Sequence, residues 1–106
     1  MERGEVRWVT FARPDKTRPV LILTRNSAIR YLNAVTVAQI TTTIRGVPSE
    51  LALSEDDGLP KPCAANFYNL QTVPKAQLGA WITTLSPERM AEADQAIQFA
   101  LGIESA

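Results

Sequence analysis

Pro19-Val20-Leu21-Ile22-Leu23-Thr24 and Val35-Thr36-Val37-Ala38-Gln39-Ile40-Thr41 are the two runs whose reading decides the fold. Both are mostly apolar, rich in β-branched residues and short, a pattern that predicts strands buried on both faces. The connector 25–33 is too short for an ordinary crossover helix. Each run carries one polar group at its edge, Arg18 before the first and Thr41 at the end of the second. If the two strands pair, guanidinium and hydroxyl stand side by side, in a geometry that clamps a phosphate.

Outward from this pair, Glu5 to Phe11 suits a strand, and Ala12 to Thr17 is a polar turn. Ser49 to Leu53 alternates polar and apolar residues, Ser54 to Lys61 is an acidic loop, and Cys63 to Val73 reads as a strand broken near Tyr68-Asn69. Pro74 interrupts pairing and Leu78 to Thr84 forms the final strand. Ser86 caps a helix that begins at Pro87 and ends at Gly102. Met90, Ala93, Ile97 and Leu101 give that helix an apolar stripe, while Glu88, Glu92, Asp94 and Gln95 form a face expected to be solvated. Many short strands and one terminal helix favour a compact β-barrel with an appended helix.

The chain has 106 residues, no long polar linker and no internal repeat, and so reads as a single domain over 1–106. No apolar run approaches the length that spans a bilayer, and the N-terminus lacks a signal-type stretch. Cys63 is the only cysteine. These features point to a cytoplasmic protein with no membrane partner, and to Cys63 as a small buried residue. Formal charge is zero, which excludes a strongly basic nucleic-acid binder on average. The halves differ, however: residues 1–50 hold eight Lys/Arg against four Asp/Glu, and residues 51–106 hold three against seven. The basic half contains Arg18 and Thr41, as a patch for a polyanion would. With no histidine anywhere, both histidine acid–base catalysis and a histidine-built metal site are excluded.

Several pieces recur in a family order: Arg3-Gly4-Glu5-Val6-Arg7-Trp8-Val9, Arg18-Pro19-Val20-Leu21, Ile40-Thr41-Thr42, Gly58-Leu59-Pro60-Lys61, Asn69-Leu70-Gln71-Thr72-Val73 and Leu85-Ser86-Pro87-Glu88-Arg89-Met90. Together they resemble a MazF/PemK-type toxin. The resemblance implies a mainly β fold with a C-terminal α-helix, a small SH3-like barrel of the PemK/CcdB-like type, usually a homodimer. It further implies a metal-independent endoribonuclease, needing no cofactor, that cleaves single-stranded RNA and is silenced by a cognate antitoxin.

In that reading Arg18 and Thr41 match the family's catalytic pair. Arg18 stabilises charge on the phosphate, since a guanidinium is a poor proton acceptor, and Thr41 donates its hydroxyl. Arg13, Lys16 and Arg45 are candidate phosphate contacts, and Asn69 and Gln71 candidate readers of a base edge. Trp8, Trp81 and Tyr68 could stack on bases, although aromatic residues in a small barrel more often fill the core. The chain departs from many members in its short loop before Arg18 and in lacking an Arg-x-Asp pair at 71–73, which implies a different substrate preference. Two other readings keep the fold: a CcdB-like toxin that poisons a protein such as DNA gyrase, and a barrel that binds nucleic acid without cutting it.

Overall fold

The computed structural model describes residues 1–10 and 17–103. Strands β1 (Glu5–Thr10), β2 (Thr17–Ile22), β3 (Ala34–Thr41), β4 (Glu50–Leu53), β5 (Cys63–Pro74) and β6 (Leu78–Thr84) form one six-stranded sheet in the order β4-β5-β3-β2-β1-β6. All neighbouring pairs are antiparallel. A single-turn helix, α1 (Asn26–Ile29), lies between β2 and β3, and α2 (Pro87–Leu101) follows β6. No described helix is long and apolar enough to cross a membrane.

β2 is displaced two residues toward the N-terminus from the apolar run that predicts it. Its ladder with β1 extends to Val9↔Arg18 and Thr10↔Thr17, while beyond Ile22 the Thr24 hydroxyl accepts the Thr36 N–H at 2.8 Å. Arg18 therefore lies within a strand. The break expected near Tyr68-Asn69 is a bulge in a continuous strand: Gln39 pairs with Asn66 and Ala38 with Leu70, which leaves Phe67 to Asn69 without partners on β3.

Opposed residues of an antiparallel pair share a face, and neighbours along a strand alternate. Leu21, Ala38, Ile40, Ala65 and Leu51 thus face one way, into a core completed by Phe67 and by Met90, Ala93 and Ala96 of α2. Val9, Val20, Ile22, Val35, Val37 and Val73 face the other way, into a second core closed by Ile29 of α1. Both faces are buried where β2 and β3 pair, which is why their sequences run apolar without alternation.

The terminal helix begins where its caps predict. The Ser86 hydroxyl accepts the Arg89 N–H at 3.2 Å, and Gly102 adopts the left-handed conformation with φ 72°. Its buried stripe differs from the expected one, because Ala96 and Ala100 meet the core whereas Leu101 is 55% exposed. One residue is about 100° of helix turn, enough to carry Leu101 off a stripe that Ala100 occupies. The acidic side is partly paired rather than merely solvated: Arg3 bonds Asp94 at 2.5 Å, and Arg89 bonds Glu92.

β4 and β6 are the sheet edges and do not pair with each other, so among the described residues the barrel is not closed by a continuous ladder. Side chains link the two edges instead. Thr83 of β6 donates its hydroxyl to the Asp57 carbonyl at 2.9 Å, just beyond β4. Arg89 of α2 reaches both the Asp57 carboxylate, at 3.0 Å, and the carbonyl of Ala52 in β4. Gly58 makes the approach feasible, since a Cβ there would fall 2.3 Å from Thr83 Oγ1 at a φ of +92°.

Candidate nucleic-acid interface

The β2–β3 ladder runs Ile22↔Val37, Leu21↔Ala38, Val20↔Gln39 and ends there; Arg18 and Thr41 lie two residues beyond its last pair, one on each strand. By alternation, Arg18, Val20 and Ile22 of β2 share a face with Thr41, Gln39, Val37 and Val35 of β3. Under α1 that face is apolar and buried. Past Val20 and Val37 it turns polar, with Arg18 exposed and Gln39 and Thr41 half-buried. Thr41 Oγ1 accepts the Thr43 N–H at 3.1 Å, which orients the hydroxyl proton toward another acceptor.

Two clefts meet at this point, and both Arg18 and Thr41 line each of them. The larger, about 410 Å³, is walled by Trp8, Pro19, Leu59, Pro60 and Lys61. It is mainly apolar with a cationic rim, suited to a base lying beside a phosphate. The smaller, about 180 Å³, is polar and is lined by Gln39, Arg45, Glu50, Asn66 and Asn69. Across the two linings stand Arg18, Arg45 and Lys61 against the single carboxylate of Glu50, so the junction favours an anion. Buried Cys63 also lines the larger cleft. Burial first and the Asp57 charge second push its thiol above its ordinary pKa, with Lys61 opposing.

The fold thus brings together Arg18, Thr41, Arg45 and Asn69 from segments far apart in the chain. Gln71 does not join them: its amide oxygen accepts from Gln39 Nε2 at 2.8 Å, and it is absent from both cleft linings. Arg13 and Lys16 lie outside the described residues. The aromatic residues depart from the core-filling expectation, with Trp8 38%, Trp81 56% and Tyr68 66% exposed. Of these three, only Trp8 enters either junction cleft. Sequence reasoning missed Glu50, Asn66 and Lys61. Glu50 and Asn66 are cross-strand partners, a relation fixed only by the β4–β5 register.

A small antiparallel β protein with a capping terminal helix and a cationic double cleft at its strand ends is the class these features define. Over residues 2–101 the sequence matches the family described as PemK-like, MazF-like toxin of type II toxin–antitoxin system, and the chain belongs to that family. It is 41% identical over 103 residues to a probable endoribonuclease MazF2 of Mycobacterium tuberculosis, a match covering 96% of this chain and 99% of the relative. The Mycobacterium tuberculosis toxin MazF-mt6 superposes with a TM-score of 0.87 at 36% identity, covering 95% of this chain and 99% of that one. An endoribonuclease in complex with its cognate antitoxin, from a mycobacterial species, gives a TM-score of 0.89 at 27% identity and covers 100% and 99%.

Proposed function

We propose that residues 1–106 form one toxin domain that cleaves single-stranded RNA without a metal, using Arg18 and Thr41. The observation that supports this reading is that Arg18 and Thr41, each two residues beyond the last β2–β3 pair, both line the apolar and the polar cleft where the two meet. A strand of RNA laid over the junction would place its scissile phosphate between them, with one neighbouring base against Trp8 and the other beside Asn69.

The 2′-hydroxyl of RNA is a nucleophile that arrives already positioned. As it attacks phosphorus, negative charge grows on the non-bridging oxygens. Arg18 offers its fork of donors to those oxygens and Thr41 its hydroxyl. The 2′-hydroxyl gives its proton to water as the 2′-O–P bond forms, the P–O5′ bond breaks, and the departing 5′ oxygen takes a proton from water, so the products carry a 2′,3′-cyclic phosphate and a 5′-hydroxyl. Arg45 and Lys61 hold flanking phosphates, joined by Arg13 and Lys16 from the segment between β1 and β2. We further propose that the protein acts in the cytoplasm as a homodimer, and that its antitoxin brings acidic and apolar residues to the same clefts. Relatives named as endoribonucleases favour this reading over a toxin of the CcdB type.

The test is incubation of the purified protein with a long unstructured RNA in EDTA, beside Arg18→Ala, followed by mapping of the product ends. Cuts at a recurring short motif with cyclic phosphate ends, absent from the variant, are expected. Growth arrest by the wild type without any cut in RNA would sink the proposal.

A further inference from the structure

We infer that Glu50 is a positioning residue of this cleft: its carboxylate holds the 42–46 loop, and through that loop sets Arg45 against the substrate backbone. The inference rests on the ribonuclease reading above.

Glu50 is the only carboxylate lining either junction cleft among the described residues. A free carboxylate beside RNA would repel the substrate, so its place there calls for an internal partner. Oε1 has two, accepting the Arg45 N–H and the Gly46 N–H, each at 2.7 Å. Consecutive backbone N–H groups converging on one anion form a nest, and Gly46 supplies the positive φ of 70° that turns its N–H inward. The bonds run to the backbone of Arg45, which leaves its guanidinium for a phosphate.

The anchor at the other end is rigid. Glu50 opens β4 opposite Asn66, and next to it buried Ser49 accepts the Phe67 N–H through its carbonyl at 3.0 Å. The held segment, residues 42–48, is exposed throughout, and at its far end the Val47 carbonyl accepts the Glu50 N–H at 3.1 Å. The same segment reaches Thr41, whose hydroxyl accepts from Thr43 N–H at 3.1 Å. Order therefore passes from the sheet to Glu50, from Glu50 to the loop, and from the loop to Arg45 and the Thr41 hydroxyl.

The experiment measures KM and kcat on a quenched fluorescent RNA oligonucleotide carrying a site mapped with the wild type. Glu50→Gln, whose amide oxygen also accepts both N–H groups, is expected to stay within about twofold of wild type with an unchanged pH profile. Glu50→Ala raises KM by about tenfold with a smaller change in kcat, and added to Arg45→Ala it costs little more than Arg45→Ala alone. Glu50→Asp, one methylene shorter, serves where Glu50→Ala fails to fold. A large fall in kcat in Glu50→Gln, with loss of the acid limb of the pH profile, would instead make Glu50 a proton acceptor and overturn the inference. Full activity in Glu50→Ala, or additivity with Arg45→Ala, overturns it as well. Amide exchange at Arg45 and Gly46 gives a readout independent of cleavage, with protection in wild type and Glu50→Gln and loss in Glu50→Ala. A wild type that cuts no RNA but keeps this exchange pattern would refute the ribonuclease reading and leave the loop restraint standing.

Discussion

Ile22 and Arg18 stand four residues apart on one face of one strand, and they live in opposite environments. Ile22 is fully buried with Val37 and Ile29 beneath α1, whereas Arg18 is exposed where the two clefts meet. The strand geometry is the same at both ends; what changes is the cover. α1 is a single turn and shields only the end of the face that carries Val35 and Val37. Beyond it β3 switches to Gln39 and Thr41, because uncovered positions gain nothing from apolar residues and can hold groups for a ligand. Under the proposed function a division of labour is expected, in which the covered end sets stability and the uncovered end sets rate.

The largest effect that would break this division is at Ile22. Ile22→Ala should cost about 2–5 kcal/mol in urea denaturation, with cleavage per folded molecule unchanged. A fall in kcat at intact stability would show that the two ends are coupled. Arg18→Ala is the mirror case. It should lower kcat about a hundredfold or more, close to 3 kcal/mol of barrier, and shift stability by no more than about 0.5 kcal/mol. If instead it unfolds the protein, Arg18 belongs to the core and not to the site.

Gly58→Ala sharpens the comparison from the far side of the sheet. The new methyl collides with Thr83 Oγ1 at a backbone angle that L-residues resist, so a loss of about 1–3 kcal/mol is expected. Because Leu59, Pro60 and Lys61 follow directly and wall the larger cleft, KM for RNA should rise as well. A variant as stable as the wild type would mean that the link between β6 and the loop after β4 bears little of the closure.

Legibility in the sequence followed the same boundary. Where both faces are covered, the continuous apolar runs of β2 and β3 announced buried strands, and Ser86, Pro87 and Gly102 marked the helix ends, because caps and burial leave local signals. Arg18 and Thr41 were legible as strand-edge polar groups beside such runs. Glu50 was not, since in Ser49 to Leu53 it is one polar residue of an ordinary alternating strand. Its meaning arises only when the chain turns at Pro48-Ser49 and brings the Arg45 and Gly46 N–H groups onto its carboxylate. Gln71 differs in another way: it reads as available for a base, and the structure engages its amide oxygen with Gln39 Nε2 across the β3–β5 pair. The exposure of Trp8 was equally illegible, since aromatic residues in a small barrel more often fill the core.

The smallest predicted effect probes the wall shared by core and cleft. Cys63 lines the larger cleft but is 5% exposed, and its thiol is raised above its ordinary value of 9.0 mainly by burial. A group whose folded pKa exceeds its unfolded one holds its proton more tightly in the native state. Its contribution to stability is complete below the unfolded value and is lost as pH rises through the folded value. Between neutrality and about pH 8 the wild type and Cys63→Ala should therefore differ by a constant amount in urea midpoint, set by packing alone. Above pH 9.0 the wild type should lose stability faster than Cys63→Ala, whose other alkaline titrations are the same. Parallel loss in both would mean that the thiol ionises as readily in the native state as in the unfolded chain. The larger cleft would then open through to solvent at its floor, and the separation of buried core from exposed site would end at Cys63.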